Sequence, residues 1–243
     1  RYLKLLDNGV KLIPVLNNNH EVVNVVSREN IPHAETLAIY ARSRAPVRIS
    51  FGGGGSDLTH YFHERRGAVI NAAISIYSRV TMRRRTDSRI RILSGDIDEI
   101  VDVKSIDELD FSSGLKLLEH TIKVVSPDYG LDLFVSSDFG VGSGLGGSSS
   151  VCLAVLGCFN EFRDDRWTKH EMAQLAFEIE RIRMGVAGGW QDQYAAAFGG
   201  INFIEFSDIR NEVSSLKLEY ETLQELQESL ILCNSNLFFS SSS

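Results

Sequence analysis

Between Asp138 and Ser150 the chain reads DFGVGSGLGGSSS, a run dense enough in glycine and serine to hold an anion by its backbone. Glycine lets a main chain approach a ligand closely and take positive φ, and a helix N-terminus behind such a turn adds about half a unit of positive charge. On that chemistry Gly142, Ser143, Gly144, Leu145, Gly146, Gly147, Ser148 and Ser149 are the candidate polyphosphate-binding residues, with the Ser148 and Ser149 hydroxyls available to Mg2+ or to phosphate oxygens. Other uses of this run fit less well. A flexible linker belongs at a domain edge, whereas this stretch lies between an alternating apolar segment and a nearly all-apolar one. Gly142, Gly144 and Gly147 satisfy GxGxxG, but a dinucleotide site also needs a second strand ending in an acidic residue about 20 positions on. Asp164 and Asp165 fall near that distance after GCFNEFR, which is no strand, so that reading is disfavoured. No GKS or GKT is present, so there is no Walker A loop. The DFG at Asp138 precedes the glycine loop instead of following it, and without HRD or VAIK elements it is read as coincidence.

A phosphate-binding turn of this kind needs a strand before it and a helix behind it. LDLFVSS places Leu131, Leu133 and Val135 on one face, the pattern of a half-buried strand. VCLAVLGCFNEF is apolar nearly all round and predicts a helix buried on every side. The next helix is announced by the capping-box spacing of Thr168 and Glu171, by Trp167 and Met172 at the staple positions, and by the core stripe Met172, Leu175, Ala176 and Ile179. GVAGGWQDQYAAAFGGINFIEF then reads as a glycine turn, a short helix, a glycine pair and a strand. Upstream, PVRISF is a strand running into Gly52 to Gly55, and GAVINAAISIYSRVTMRRR alternates well enough for one or two strands. Its closing Arg83 to Arg85 are read as a solvated strand end.

The first forty residues have a different texture. KLIPVLNNNHEVVNVVSRENI reads as two short β runs around an Asn-rich turn, similar to the closing hairpin of a CBS repeat, and PHAETLAIYARSR as a short helix or linker. A boundary is expected near Ser43, giving 1–43 as a CBS-like hairpin and linker, 44–206 as the main α/β unit and 207–243 as the start of a further domain.

Composition narrows the function class. A formal charge of −7 argues against a general nucleic-acid binder, because phosphate-backbone affinity comes from clustered Lys and Arg. The 3 cysteines show no CxxC spacing, which suits reduced thiols better than a disulfide framework. His60 and His63 form a lone HxxH, read as a polar loop and not a metal site. No apolar run approaches the ~20 residues of a membrane span, and no basic-then-apolar leader opens the chain, so a cytoplasmic protein is expected.

Three motifs in order then bring a family into view. GSGLGGSSS resembles the second motif of the GHMP kinases, the superfamily of galactokinase and of homoserine, mevalonate and phosphomevalonate kinases. APVRISFGGGGSD resembles the substrate-side first motif, and IERIRMGVAGGWQDQYAAAFGG the segment that carries a metal-binding glutamate and a catalytic aspartate. FGGGGSDL and GGWQDQYAAAFGGINFIEF look most like the branch that phosphorylates the anomeric hydroxyl of D-glycero-D-manno-heptose 7-phosphate with ATP.

The resemblance implies an α+β fold of the ribosomal protein S5 domain 2-like kind, with ATP and Mg2+ as cofactors and a sugar or sugar phosphate as acceptor. It implies that Asp192 takes the proton of, or orients, the attacking hydroxyl. Arg48 would stand beside it and offset charge on the transferred phosphoryl group. Glu180 would bind Mg2+ with Ser148, although Glu178 lies nearby, and Gly54, Gly55, Ser56 and Asp57 would contact the sugar, the carboxylate accepting from two hydroxyls. For a phosphate on the acceptor, Arg83 to Arg85, Arg65 and Arg66 are unranked candidates. Gly140 stands where the family usually has proline, and the family's C-terminal domain and third motif are absent, so the chain reads as truncated. A fucose or galactose kinase, or a nucleotide sensor without turnover, are the competing readings.

Overall fold

The computed structural model describes residues 12–16, 19–27, 39–231 and 233. The chain divides into two compact units, Arg1–Leu37 and Ala38–Ser243. In the first, β1 (Ile13–Leu16) pairs antiparallel with β2 (Val22–Val26), as their β-branched runs predict. Most of the segment expected as a short helix or linker, residues 32–38, lies outside the described residues.

The second unit opens with β3 (Tyr40–Gly52), so the boundary expected at Ser43 falls inside a strand. The reason is pairing: Tyr40 to Ser43 continue the ladder opposite Arg83 to Val80 of β4 (Gly67–Arg84). Between the two strands the chain forms the glycine loop and a single helical turn, α1 (Thr59–Phe62). The alternation of GAVINAAISIYSRVTMRR, which allowed one strand or two, gives one long strand. β4 is the centre of a seven-stranded sheet and pairs with three neighbours.

Residues 90–125, whose pattern is less regular, supply β5 (Ile90–Ser94), β6 (Ile100–Val103), a 3-10 turn (Ile106–Glu108) and α2 (Lys116–Val125). α2 carries the chain across to β7 (Leu131–Ser137), which lies parallel to β5 and antiparallel to β4. In β7, Leu131, Leu133 and Val135 are buried while Phe134 is 47% exposed, the half-buried strand its alternation predicts. α3 (Gly147–Glu161) is the helix expected to be buried all round, and its Cys152 to Phe159 pack with Val80, Met82, Ile92 and Leu133 in one core. Helices thus cover one face of the sheet, the layering of an α+β domain.

α4 (Lys169–Phe177) begins at the predicted capping box: Glu171 N–H donates to Thr168 Oγ1 at 3.3 Å, and Thr168 N–H to Glu171 Oε2 at 2.7 Å. It runs on into a π-helical turn, Glu178–Arg183. α5 (Gln191–Phe198), β8 (Ile201–Phe206), β9 (Glu212–Ser215) and the exposed α6 (Tyr220–Ser229) follow. β9, expected within a further domain, instead adds an edge strand to the same sheet by pairing with β8. A tight return closed by Ser207 Oγ on Arg210 O at 2.8 Å turns the chain back.

Cys152 and Cys158 lie in the core and Cys233 is exposed. Burial raises both core thiols, Cys158 to about 12, so they stay protonated and unreactive. Among the described residues no helix is long and apolar enough to cross a membrane.

One buried acid sits less comfortably. Glu119 of α2 is 1% exposed; Ser113 Oγ donates to its Oε1 at 3.1 Å, but its Oε2 has no partner. Desolvation pushes this carboxyl above the usual range. A raised folded pKa favours the protonated form, so the contribution of this group to stability is full at acid pH and lost as pH rises through the folded value. Glu119→Gln is therefore expected to raise Tm by about 2–4 °C at pH 7.5, the shift of roughly 1 kcal/mol in a chain of this size, with the gain vanishing near pH 4. Thermal unfolding at the two pH values checks this; an equal shift at both contradicts it.

Candidate active site

The glycine run forms the turn its composition suggests. Gly142, Gly144 and Gly146 have φ of +78°, +72° and +76°, with Ser143 and Leu145 between them outside that region. Such alternation turns successive N–H groups toward a common side and makes an anion-binding concavity. α3 starts at the next residue, so its unsatisfied N–H groups open on the same space. That space is a cavity of about 740 Å³. Gly142, Ser143, Gly144, Gly146, Gly147 and Ser148 line it, and across from them stand Arg48 and Asp192. The two walls nearly touch: a Cβ on Gly146 would lie 3.1 Å from Asp192 Cγ.

Asp192 is in the first turn of α5, and Arg48 is on β3. Arg48 donates from Nε to Asp192 Oδ1 at 2.6 Å and brings Nη2 to the same oxygen at 2.6 Å. It is braced by its own backbone, whose N–H meets Leu145 O at 3.1 Å, and by Nη1 on Gly144 O at 3.3 Å. The pair is part-buried, at 17% and 19% side-chain exposure. Asp192 Oδ1 is thus occupied. Oδ2 has Arg181 Nη2 at 4.0 Å, beyond hydrogen-bond reach, and remains able to accept a proton from a hydroxyl.

Glu180 lies in the π-helical turn, 1% exposed, and accepts at Oε2 from Ser149 Oγ and Gln193 Nε2, each at 2.6 Å. Its Oε1 has no partner. Glu178, the rival choice, pairs with Arg183 at 2.8 Å on a more exposed surface. Glu180 and Ser148 are the two side chains expected to share Mg2+; in the fold it is Ser149, the next residue round the helix, whose hydroxyl donates to Glu180, while Ser148 lines the cavity.

The first-motif loop is organised by its own side chains. Ser56 Oγ lies 2.7 Å from Gly53 O and accepts Ala68 N–H at 3.0 Å, pinning the loop to β4. Asp57 is 3% exposed, and its two oxygens accept Gly55 N–H and Gln191 N–H, each at 3.0 Å. The carboxylate expected to take two sugar hydroxyls is therefore engaged by the backbone. It ties the loop to the start of the helix that carries Asp192. Gly189 makes this possible, since a Cβ there would fall 2.0 Å from Asp57 Oδ2. Gly54 and Gly55 are exposed at the loop tip and do not line the 740 Å³ cavity.

Residues 113–200 match the family model described as GHMP kinases N terminal domain. The structure of a D-glycero-D-manno-heptose 1-phosphate kinase from Bacteroides thetaiotaomicron superposes with a TM-score of 0.73 at 34% identity, over 77% of this chain and 63% of that one. The fold is that of a GHMP kinase N-terminal domain. A curated relative, the D-glycero-alpha-D-manno-heptose 7-phosphate kinase of Campylobacter jejuni, is 35% identical over 202 residues, 81% of this chain and 60% of the relative. The L-fucokinase/L-fucose-1-P guanylyltransferase of Bacteroides fragilis is 29% identical over 67% of the chain and 20% of its own length. The chain thus spans less than two thirds of the relatives it matches.

Within this fold, several arginines weighed as phosphate ligands have other work. Arg83 and Arg85 donate to Asp132 at 2.7 and 2.9 Å, and Arg84 lies 4.0 Å over the Tyr129 ring. Arg65 and Arg66 are exposed and do not line the cavity. Asp138 of the DFG triplet accepts Tyr77 N–H at 3.1 Å and pairs with Arg79, so it anchors the start of the glycine loop to β4. Conversely, sequence reasoning missed Arg181, Gln193, and the apolar wall of Ile97, Leu115, Leu118 and Val135. Ile97, Leu115 and Leu118 come from a region without a regular period, and the alternation of β7 marks Val135 only as a core residue. Arg181 is carried to the cavity by a π-helical turn that no residue spacing announces.

Proposed function

We propose that the chain is the nucleotide-binding part of an ATP-dependent sugar kinase that phosphorylates an anomeric hydroxyl, with D-glycero-D-manno-heptose 7-phosphate as the acceptor. The observation that carries this reading is that a backbone anion cradle and a carboxylate with one open oxygen face each other across one cavity. The triphosphate is held by the N–H groups of the Gly142–Gly147 turn and the start of α3, and the base lies toward Ile97, Leu115 and Val135. Asp192 Oδ2 accepts the hydroxyl proton, while Arg48 fixes Oδ1 and thereby the orientation of the carboxylate. Positioning and charge stabilisation account for most of the acceleration in such a transfer. The loop at Gly54 and Gly55, held by Ser56 and Asp57, receives the sugar.

The residues present fit a magnesium ion. Glu180 Oε1 is a buried oxygen acceptor without a donor, and Ser148 offers a hydroxyl on the cavity wall. Mg2+ takes few protein ligands and completes its shell with phosphate and water, so no cluster of carboxylates is needed. When bound, it neutralises charge on the β- and γ-phosphates. We read the N-terminal hairpin as CBS-like and the segment after β9 as leading toward a second domain. ATP dependence accords with a cytoplasmic site of action.

ADP release measured with ATP, Mg2+ and a panel of sugars and sugar phosphates tests the proposal. Release stimulated by heptose 7-phosphate above all others is the expected result. Stimulation by free fucose or galactose instead would move the acceptor assignment, and tight ATP binding with no acceptor-dependent release would favour a nucleotide sensor.

A further inference from the structure

Among the described residues, the carboxylate oxygen nearest the Arg181 guanidinium is Asp192 Oδ2, at 4.0 Å from Nη2. The Arg181 side chain is only 10% exposed, and Nε donates to Gly189 O at 3.4 Å. The guanidinium lies against the main chain at Gly188, where a Cβ would fall 2.7 Å from both Cζ and Nη2. One side of the group is thus fixed by backbone. The other borders the 740 Å³ cavity, where Nη2 stands 4.0 Å from Asp192 Oδ2. Among the described residues no acceptor lies within hydrogen-bond distance of either Nη atom. Asp192 is already matched by Arg48 at 2.6 Å, and Asp96, the other carboxylate on the cavity wall, accepts Ser137 N–H at 3.0 Å, so neither acid is bonded to Arg181.

Resting on the kinase reading above, we infer that Arg181 is a catalytic residue that binds the γ-phosphoryl group and holds it through transfer. A hydroxyl donating to Asp192 Oδ2 sits about 2.7 Å from it, so the acceptor oxygen lies at most about 7 Å from Arg181 Nη2. The anion carried closest to that oxygen is the phosphoryl group in transit. A phosphate on a distant carbon of the sugar is held farther away. In the transfer, the acceptor oxygen forms a bond to the γ-phosphorus as the bond from that phosphorus to the β,γ-bridging oxygen breaks. The electron pair of the broken bond leaves on ADP, and the hydroxyl proton passes to Asp192 Oδ2. Arg181 donates to a non-bridging oxygen throughout, and its planar fork suits that geometry.

Calorimetric titration of the whole chain with ATP and with ADP, both with Mg2+, tests this without requiring turnover. Wild type is expected to prefer ATP. Arg181→Ala is expected to lose about tenfold to a hundredfold of that preference, the worth of a charge-assisted hydrogen bond, while ADP affinity stays within about twofold. Arg181→Lys should keep part of it, and it guards against misfolding of the alanine variant. An unchanged ATP-to-ADP ratio in Arg181→Ala overturns the inference and would leave the arginine to a phosphate on the acceptor. Equal loss of both nucleotides also overturns it, as the mark of a structural role, and so does a wild type that binds both alike. A wild type that binds neither nucleotide overturns the kinase reading itself.

Discussion

Asp192→Asn is expected to lower acceptor-dependent ADP release about 1,000-fold while ATP binds at least as tightly as in wild type. The substitution keeps shape, and an amide oxygen can still accept from Arg48 at the Oδ1 position, now 2.6 Å from both Nε and Nη2. What is lost is Oδ2 as a proton acceptor, because an amide nitrogen donates instead. General-base contributions of about 100- to 10,000-fold set the scale. ATP affinity is expected to hold or rise, since the change removes a negative charge from a cavity that also contains Arg48 and Arg181. A coupled assay and calorimetry on the same preparation separate the two effects. Turnover within a few-fold of wild type would remove Asp192 from the chemistry.

Asp57→Ala is expected to lower Tm by about 5–15 °C and to abolish acceptor-dependent turnover, with ATP binding retained. The carboxylate is 3% exposed and satisfies the N–H groups of Gly55 and Gln191 in two part-buried hydrogen bonds, so its removal takes the partner from both donors. Each such loss costs about 1–3 kcal/mol, and 1 kcal/mol corresponds to about 2–4 °C in a domain of this size. The first-motif loop and the start of α5 then lose their common anchor, and Asp192 loses its alignment with the sugar. The nucleotide cradle, built on the Gly142–Gly147 turn and α3, does not depend on this link. Thermal unfolding with ATP titration checks the prediction. Unchanged Tm with a raised acceptor KM would instead mark Asp57 as a direct sugar contact.

Much of the framework was legible because its signals are local. The capping box at Thr168, the alternation in β7 and the positive φ of Gly142, Gly144 and Gly146 depend on residues a few places apart, and each is found where its local pattern put it. The long β4 was ambiguous because alternation sets which side chains face inward but not where a strand ends; pairing with β3, β7 and β8 keeps it continuous. Tyr40 to Ser43 and β9 were misplaced for the same reason, since their strand character comes from a partner far along the chain.

The candidate site divides along the same line. By itself the sequence pointed to the kinds of group to look for: a glycine turn before a buried helix and, through the family resemblance, an aspartate, an arginine and a glutamate with expected roles in transfer and metal binding. Only the tertiary structure decided which oxygen of Asp192 is tied and which is open, that Ser149 and not Ser148 meets Glu180, that Asp57 serves the backbone, and that Arg181 reaches the cavity. Backbone conformation follows from neighbouring residues, whereas the partner of a side chain depends on which distant segments packing brings within 3 Å or so of it.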